Sequence, residues 1–380
     1  MVVDQRPLRR LRQQQGGHLE HAGRPHRQRG PLSSLAIFVG ATAAAAATPC
    51  ALASALLVAL ACIYRYDTDV GLTSIDIAST GHLWKPPGTG TPRLPDVLLI
   101  GAQKAGSSAL ANWLFDCGIC PARVFRGEPK FYRKEPHFFD DEQRYARGVD
   151  FYAERFARCP HDALAMDATP ATMLYADQVR KTYEEWEGGV LADEVKILAV
   201  LREPSARELS WYNHVMLKCR TDRAYIHPDC YNEDGGSVRS FEEYVRDVTL
   251  PHVDIGSTRR GQLCRGHYAH FLQEWFAAFR RSQILVLSYD EMVSDEGRMM
   301  QRVQSFLDLD PRANPGHMEE KNTKNNELKV RSIRCDVQER MDKVFDPLND
   351  GLHRLLEENP GPEAEQRPFP AFVTKNCTSD

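Results

Sequence analysis

The sequence predicts an α/β fold in which helices flank a parallel β-sheet. Three short apolar segments, residues 97–101, 195–201 and 284–287, have the composition of buried strands, and a helical pattern follows each of them. Strands that alternate with helices require crossover connections, and crossovers place helices on both faces of a parallel sheet. The composition, 42% hydrophobic and 26% charged over 380 residues, is that of a globular protein and excludes a disordered or collagen-like chain.

The N-terminal 64 residues differ from the rest in charge and hydropathy. Residues 1–30 form a basic tail with seven arginines and two carboxylates, and residues 31–64 carry no charge. That apolar run exceeds the roughly 20 residues that cross a bilayer, and the positive-inside rule places the tail in the cytosol and the body in a lumen. We favour an uncleaved transmembrane signal-anchor of type II. The alternatives are a cleaved signal peptide, an arginine-rich transit peptide and a buried Ala-rich helix.

The chain after the apolar run divides by composition. Residues 65–95 are rich in Gly and Pro and are predicted to be a stem or linker, and residues 96–358 form the predicted domain. Within it, residues 219–257 break the strand–helix alternation and suggest an inserted, loop-rich lobe. Residues 359–380 are predicted to be a flexible tail. The first 64 residues have a net charge of +5, which leaves −9 for the body of this −4 chain, so nucleic acid is an unfavourable partner.

The ten cysteines are too few for a disulfide framework, and their state depends on the compartment. In a lumen, a disulfide between Cys219 and Cys230 is plausible because they bracket an irregular stretch. Cys117 and Cys120 have the spacing of a zinc knuckle, but no second pair follows, so we expect half-buried thiols and no metal site. Asn376 begins a glycosylation sequon that only a lumenal body could use.

The first motif is the glycine loop after the first predicted strand, residues 101–108, GAQKAGSS. Glycines allow a close approach of the backbone, and a helix N-terminus binds phosphate or sulfate oxygens. The loop is P-loop-like, but it lacks the final Gly-Lys-Ser/Thr of nucleotide hydrolases, whose hydroxyl binds magnesium. Its lysine, Lys104, lies earlier and can reach an oxygen that bridges a transferred and a leaving group. A simple structural turn is the alternative.

The second motif follows the second predicted strand and runs into a helix, from Arg202 to Tyr212, REPSARELSWY. Arg202 lies at the carboxyl end of its strand, where open α/β sheets bind ligands. Ser210 is eight residues further on, so both side chains could reach one phosphate. An ordinary solvated helix face is the alternative.

Together the two motifs resemble those of the carbohydrate sulfotransferases, notably the Golgi enzymes that modify heparan and chondroitin chains. The glycine loop is similar to their 5′-phosphosulfate loop, and the Arg202 motif to their 3′-phosphate element. Three further segments are similar as well: residues 134–140, KEPHFFD, residues 148–152, and residues 268–309. The resemblance covers residues 96–310 and, more loosely, the chain to residue 356. It implies the sulfotransferase fold and the cofactor 3′-phosphoadenosine 5′-phosphosulfate (PAPS).

The resemblance also implies roles for individual residues. Glu135 would be the base at the attacking hydroxyl, and His137 would orient Glu135 or the acceptor. Lys104 would offset charge on the leaving group, and no metal is needed. Residues implied in cofactor binding are Gln103, Lys104, Ala105, Gly106, Ser107, Ser108, Arg202, Ser210 and Lys324. Residues implied in substrate binding are Arg133, Lys134 and Asp140. Arg123, Arg126 and Lys130 extend a basic cluster that could hold an anionic sugar chain or could be a solvated loop.

Two departures from the family pattern bear on specificity. Heparan 3-O-type enzymes have a lysine just before Thr-Pro, whereas this chain has Ala168, a form more similar to the chondroitin-type N-acetylgalactosamine 4-sulfate 6-O branch. The late Lys-Gly-Arg cofactor loop is missing, and Lys324 is the expected substitute. A polar connecting loop is the alternative there.

These observations predict a single-pass type II Golgi sulfotransferase that transfers the sulfuryl group of PAPS to a hydroxyl of a glycan. The acceptor is a glycan or polysaccharide, and the membrane is reached through the N-terminal helix. One rival is a non-catalytic glycan-binding membrane protein on a sulfotransferase scaffold. The other is a P-loop kinase of a small molecule, which the missing Gly-Lys-Ser/Thr disfavours.

Overall fold

The computed structural model describes residues 90–186, 190–221, 231, 237–248, 265–313, 315–318, 329–374 and 377–378. The basic tail, the predicted signal-anchor at 31–64 and the linker to residue 89 lie outside these ranges. Among the helices that are described, none combines the length and apolar character needed to span a membrane.

Five parallel strands form one sheet within the described residues. They are β1 (Val97–Gly101), β2 (Cys120–Pro121), β3 (Ala165–Asp167), β4 (Lys196–Leu201) and β5 (Ile284–Ser288), in the order β2-β3-β1-β4-β5. Every pairing is parallel, with Leu98 opposite Asp167 on one side and opposite Ile197 on the other. The predicted α/β class is therefore confirmed. β1 lies at the centre of the sheet, so the loop that follows it emerges between those of β3 and β4.

The three strands that the sequence predicted are the long, buried ones. All residues of β1 and β5 are buried, as are all but the first of β4. The sequence analysis missed β2 and β3, which have two and three residues. Segments this short contain no apolar run that a pattern can detect, and they become strands through pairing at the edge of the sheet.

Helices cover the sheet. They are α1 (Ser107–Asp116), α2 (Glu142–Tyr145), α3 (Val149–Glu154), α4 (Ala176–Glu185), α5 (Pro204–Thr221), α6 (Phe241–Val248), α7 (Tyr268–Ala278), α8 (Tyr289–Ser294), α9 (Glu296–Phe306) and α10 (Cys335–Glu358). The single helix expected after β5 is two helices, because each start has its own cap. The Ser288 side chain accepts from the first turn of α8, and the Asp295 carboxylate accepts from Arg298 N–H in α9.

The apolar side chains form two clusters. The larger one contains the sheet and the helices on its faces, including α1 and α7. The second lies among α5, α6 and α10, and its buried members include Trp211, Val215, Tyr244, Val337 and Met341. Because α6 belongs to residues 219–257, the inserted lobe contributes a packed helix to the domain in addition to loops.

Cys120 forms a disulfide with Cys159, which corrects the expectation of a free thiol at Cys120. The bridge links β2 to the chain after α3, two segments that β2–β3 pairing brings together. Cys117 is a free, half-buried thiol, as expected. Cys219 is also disulfide-bonded, and both its partner and Cys230 lie outside the described residues.

The chain after α10, predicted to be a flexible tail, packs against the domain in its described part. Glu365 is buried, receives a hydrogen bond from Val286 N–H of β5 at 2.9 Å and forms an ion pair with Arg281 at 2.5 Å. Cys335 at the start of α10 forms a disulfide with Cys377. The described part of the tail is therefore held to the domain by a hydrogen bond to β5, an ion pair and a disulfide.

We expect the Cys120–Cys159 disulfide to stabilise the domain. The bridge closes a 39-residue separation, for which loop entropy gives about 3–4 kcal/mol, and its loss should lower the Tm by roughly 5–15 °C. Thermal unfolding of the double variant Cys120→Ser/Cys159→Ser measures this. The matched control is Cys117→Ser, which removes a nearby thiol without breaking a bridge. Equal Tm values for the two proteins would contradict the prediction.

Candidate functional site

Three loops with the predicted motifs meet at the carboxyl edge of the sheet. The glycine loop follows β1, Arg202 follows β4, and the segment Asp167-Ala-Thr ends β3. Because β1 pairs with both β3 and β4, these loops are neighbours in space although roughly 30 to 100 residues separate them in sequence. The carboxyl edge is the position at which α/β sheets bind ligands.

The glycine loop joins β1 to α1 through a turn at residues 103–106. Gly106 has a φ of 87°, a conformation in which a side chain is strained, and a Cβ at this position would lie 3.1 Å from Tyr289 Cδ2, so the position favours glycine. Lys104 also has a positive φ, 70°. No side chain caps the start of α1 at Gly106. The first N–H groups of a helix lack intrahelical acceptors, so the backbone at Ser107 and Ser108 can bind an anion.

Positive charges surround Lys104. Burial lowers the pKa of its ammonium, and the nearby positive charges of Arg202, Lys329, Arg207 and Lys218 lower it further, to about 8. Repulsion of this kind is costly in the free protein and is relieved when an anion binds. The arrangement is therefore suited to a multiply charged anion.

Arg202 connects the β4 loop to the glycine loop. Its Nη1 donates to the Lys104 carbonyl at 3.0 Å, and its guanidinium lies 4.5 Å from the ring centre of Tyr289. The Tyr268 hydroxyl donates to the Arg202 carbonyl at 2.8 Å, which fixes the backbone as well. Glu203 caps α5 by accepting from Ser205 N–H and Ala206 N–H at 2.8 and 2.6 Å. Arg202 is thus held at the entrance to α5 with part of its guanidinium exposed.

Two more arginines hold Gln103, the first residue of the turn. Arg207, which is fully buried and paired with Glu208, donates to the Gln103 carbonyl at 3.5 Å. Arg265 donates to the Gln103 side-chain oxygen at 2.6 Å, and its buried Nε has no hydrogen-bond partner. Burial and the charge of Arg207 lower the pKa of Arg265 to about 10, while the charge of Asp140 opposes that shift. Arg265 therefore contacts the glycine loop and is close enough to Asp140 for their charges to interact. Asp140 ends the segment Lys134–Asp140, which we call the third motif.

The third motif places three ionisable groups in a row. His137 Nε2 lies 3.3 Å from Glu135 Oε2, and His137 Nδ1 lies 2.8 Å from Asp140 Oδ2. Lys134 Nζ forms an ion pair with the other oxygen of Glu135. Burial favours the neutral forms of His137 and Glu135, but their hydrogen bonds have the larger effect. The hydrogen bonds of His137 with Asp140 and Glu135 raise the pKa of His137 to about 9. Contacts with His137 and Lys134 lower the pKa of Glu135 to about 2.

The end of β3 fixes the backbone of this motif. Ala168 N–H donates to the Lys134 carbonyl at 3.0 Å, and His137 N–H donates to Thr169 Oγ1 at 3.3 Å. The Asp167 carboxylate accepts from Thr169 N–H and from the Tyr152 hydroxyl, both at 2.8 Å. His137 has a φ of 52°, a conformation that needs such support in a residue with a Cβ. The Asp-Ala-Thr-Pro segment thus positions the carboxylate–histidine row.

The predicted basic cluster separates into two groups. Arg123 pairs with Glu154 at 3.4 Å, and Lys134 pairs with Glu135, so both are neutralised locally. Arg126, Lys130 and Arg133 are exposed, and no carboxylate among the described residues lies within 4 Å of them. Only the second group is available to bind a negatively charged ligand.

The remaining predicted site residues differ in burial, and three of the predicted residues lie outside the described part of the chain. Ala105 and Ser107 are buried within the glycine loop and α1, and Ser108 and Ser210 are half-buried on α1 and α5. Lys324, Cys230 and Asn376 lie outside the described residues. Within the described ranges, no group of three or more His, Cys, Asp or Glu side chains is arranged to hold a metal ion.

The sequence analysis missed three cations near the glycine loop, Lys218, Lys329 and Arg265. Lys329 lies near Lys104 because its neighbour Val330 is bound to α5. The Asn213 side chain on α5 forms two hydrogen bonds with the Val330 backbone, at 2.8 and 2.9 Å. No local pattern marks these residues, since each is brought to the site by an element distant in sequence. A late lysine was expected at 324, five positions earlier.

A groove of about 640 Å³ lies between α4 and the end of α7. It includes Asp193 and Arg280, which precede β4 and β5, so it is at the amino edge of those strands. Its arginines pair with carboxylates; Arg180, for example, lies 2.6 Å from Glu184 and 3.4 Å from Asp193. The cations that line the groove are thus paired with carboxylates, and we place the functional site at the opposite, carboxyl edge.

Comparisons with known proteins find similar sequences and structures. Residues 94–345, about two thirds of the chain, match a family model described as "Sulfotransferase domain". Heparan sulfate glucosamine 3-O-sulfotransferase 3B1 of Mus musculus is 26% identical over 222 residues, which are 58% of this chain and 48% of that protein. Bifunctional heparan sulfate N-deacetylase/N-sulfotransferase 4 of Mus musculus is 28% identical over 226 residues, 58% of this chain and 23% of that protein.

A solved sulfotransferase from Alicyclobacillus acidocaldarius superposes on 70% of this chain and 96% of its own, with a TM-score of 0.43 and 19% identity. The matched segment spans about half, or less, of the length of the curated relatives.

Proposed function

Because the chain belongs to the sulfotransferase family, we propose that it transfers the sulfuryl group of PAPS to a hydroxyl of a glycan. The observation that carries the proposal is the juxtaposition of two unlike sites at one edge of the sheet. A cationic loop around Lys104 lies beside a row of carboxylates and histidine at Glu135, His137 and Asp140. The first site suits an anionic donor, and the second suits the activation of a hydroxyl.

The residues of the cationic site fit PAPS. The repulsion that lowers the pKa of Lys104 and the unpartnered Nε of Arg265 both indicate missing negative charge. A donor with an anionic group at each end calls for two separate sets of cations. The glycine loop, with Lys104 and the N–H groups of α1, would hold the phosphosulfate, and Arg202 with Ser210 would hold the 3′-phosphate. PAPS supplies the activated sulfuryl group.

Glu135 is the proton acceptor in this proposal. With a pKa of about 9, His137 is protonated at neutral pH and cannot act as a base, whereas Glu135 is ionised. A carboxylate with a pKa of about 2 is a weak base while Lys134 occupies one of its oxygens. An acceptor hydroxyl that displaces Lys134 Nζ would restore basicity, take the place of the ammonium and lie beside Glu135. His137, held by Asp140, fixes the orientation of the carboxylate.

Lys104 would offset the charge that develops on the departing bisphosphate. Its ammonium lies in a turn whose backbone is held by Arg202, so its position requires little rearrangement during the reaction. Proton transfer and charge stabilisation are thus assigned to different residues, one in the segment between β2 and β3 and the other in the loop after β1. The acceptor in this proposal is a glycan chain, and its sugar and hydroxyl are open.

We also propose that the protein is a single-pass type II Golgi membrane protein with a lumenal catalytic domain, anchored through residues 31–64. Two disulfides in the described residues, Cys120–Cys159 and Cys335–Cys377, and the bonded Cys219 support an oxidising compartment. Cytosolic proteins rarely keep structural disulfides. Asn376 would then be available for glycosylation.

The first test is calorimetric binding of adenosine 3′,5′-bisphosphate, the product of the donor, with 5′-AMP as comparison and a chelator in place of magnesium. Two anion sites predict at least about a tenfold preference for the bisphosphate, since the 3′-phosphate adds charge-assisted hydrogen bonds. Equal, weak binding by folded protein would favour the non-catalytic glycan-binding alternative. Binding that requires magnesium would favour the kinase alternative.

The pH dependence of the same measurement tests Lys104. Its free-state pKa of about 8 means that the ammonium loses its proton as the pH rises through that value, and the Kd should rise by up to about tenfold from about pH 7 to about pH 9. Lys104→Arg keeps its charge in this range and should abolish most of the dependence. A dependence that persists in Lys104→Arg would assign it to another group, such as His137.

A further inference from the structure

An aromatic side chain lies exposed beside the row of Glu135, His137 and Asp140. Phe131 belongs to the short 3₁₀ helix Lys130–Arg133, and 53% of its surface is accessible. A single exposed apolar residue is ordinary on a protein surface, and what distinguishes Phe131 is its position beside this row. Among the described residues, the other large apolar side chains that are exposed are Val293 and Val373. Both lie far along the chain from the third motif.

The Phe131 ring is held against the site by its neighbours. Its centre is 5.8 Å from that of His137, edge to face, and 4.5 Å from that of Tyr132. Tyr132 in turn lies 5.9 Å from His137, and the Arg144 guanidinium covers its ring at 3.8 Å. Arg144 also forms an ion pair with Glu128, which holds its guanidinium over the Tyr132 ring. The exposed ring is therefore backed by a packed layer and adjoins the imidazole directly.

Two cations flank this ring without a carboxylate partner among the described residues. Lys130 and Arg133 flank Phe131 in the same turn, both are exposed, and no carboxylate of the described chain lies within 4 Å of either. Arg133 rests 5.6 Å from the ring of Phe115, which orders its guanidinium near the surface of the domain. An apolar ring bordered by two free cations matches a ligand with an apolar face and an anionic rim.

We propose that Phe131 is a stacking platform for one sugar ring of the acceptor, the ring adjacent to the sugar that presents its hydroxyl to Glu135. Lys130 and Arg133 bind carboxylate or sulfate groups of the same glycan chain. This rests on the proposed glycan transfer and assigns it an acidic polysaccharide as acceptor. The C–H bonds on one face of a pyranose carry partial positive charge and pack against the negative face of a phenyl ring. The hydroxyl, carboxylate and sulfate groups at the sugar's edge then meet the flanking cations.

Salt affects cation–anion contacts more than stacking, so the contributions of Phe131 and of the two cations to acceptor binding can be measured separately. Phe131→Ala should raise the KM for an acidic polysaccharide roughly three- to tenfold at any ionic strength, with kcat nearly unchanged, and Phe131→Trp should restore it. Lys130→Gln/Arg133→Gln should raise the KM at low salt and lose this effect at about 0.5 M salt, where charges are screened. Heparan sulfate and chondroitin sulfate chains serve as the two probes. Val373→Ala, an exposed apolar residue elsewhere, is the matched control.

Binding provides the readout that does not depend on turnover. If the wild-type protein transfers no sulfate, the same variants are compared by their Kd for each polysaccharide in the presence of adenosine 3′,5′-bisphosphate. A weaker Kd in Phe131→Ala would then support the platform while the proposed transfer fails. An unchanged KM and Kd in a Phe131→Ala protein with wild-type Tm and bisphosphate affinity would overturn the platform, as would a wild-type protein that binds neither polysaccharide.

Discussion

Replacing Glu135 with glutamine is expected to lower kcat by roughly 10²- to 10⁴-fold, the usual contribution of a general base. Glutamine preserves the shape of the side chain and can still meet Lys134 and His137, but it cannot accept the proton of the hydroxyl. The affinity for adenosine 3′,5′-bisphosphate should change little, because the proposed contacts of the bisphosphate are with the cationic loop around Lys104 and not with Glu135. Sulfate transfer from PAPS and bisphosphate calorimetry measure the two quantities.

The control for this variant is Glu142→Gln, which neutralises an exposed carboxylate on the nearby helix α2. It changes the net charge equally and should keep wild-type kcat. A Glu135→Gln protein that keeps more than about a tenth of the wild-type kcat would remove the base assignment. A variant that instead loses bisphosphate affinity would show that Glu135 acts on the donor side.

Replacing Arg202 with alanine is expected to weaken bisphosphate binding by roughly 10- to 100-fold. The change removes the guanidinium proposed to contact the 3′-phosphate, and a hydrogen bond to a charged group contributes about 1.5–3 kcal/mol. It also removes the 3.0 Å hydrogen bond to the Lys104 carbonyl, so the glycine loop loses a support. Calorimetry with the bisphosphate and with 5′-AMP separates these effects: loss of the 3′-phosphate contact reduces the preference between them, whereas a loosened loop weakens both.

Arg202→Lys provides the intermediate case, since it keeps the charge but has no planar fork to serve both the Lys104 carbonyl and a phosphate. The surface variant Arg298→Ala, an exposed arginine on α9, controls for loss of one positive charge. Unchanged bisphosphate affinity in a folded Arg202→Ala protein would refute the phosphate role.

Much of the candidate site could be predicted because its parts are local in sequence. The glycine loop, Arg202 and the Lys134–Asp140 segment each follow or precede a recognisable element, and parallel strands bring their carboxyl ends to one edge. The strand order was not predictable in the same way. β3 has three residues, yet it pairs with β1 and carries the Asp167-Ala-Thr segment that holds Lys134 and His137.

Contacts between distant segments could not be predicted, because no local pattern encodes them. Cys120 looked like half of a thiol pair with Cys117, but the pairing of β2 with β3 brings it to Cys159. Lys329 reaches Lys104 only through α5, and Arg265 reaches Gln103 across 162 positions. The tail after α10 is polar and Pro-rich, and it packs through contacts with distant residues. The buried Glu365 meets Arg281 and β5, and Cys377 forms a disulfide with Cys335.

The sequence by itself determined the chemistry available to this protein: the order of the motifs, the loop glycines and the choice of Lys104, Glu135, His137 and Arg202. The tertiary structure decided how those groups are charged. His137 is a base in isolation but an ion-paired acid between Glu135 and Asp140, and Lys104 is a strong cation in isolation but one that titrates near pH 8 among other cations. Residue identity fixes a reference pKa, whereas burial and the distance to neighbouring charges, which exist only in the folded chain, set the protonation state.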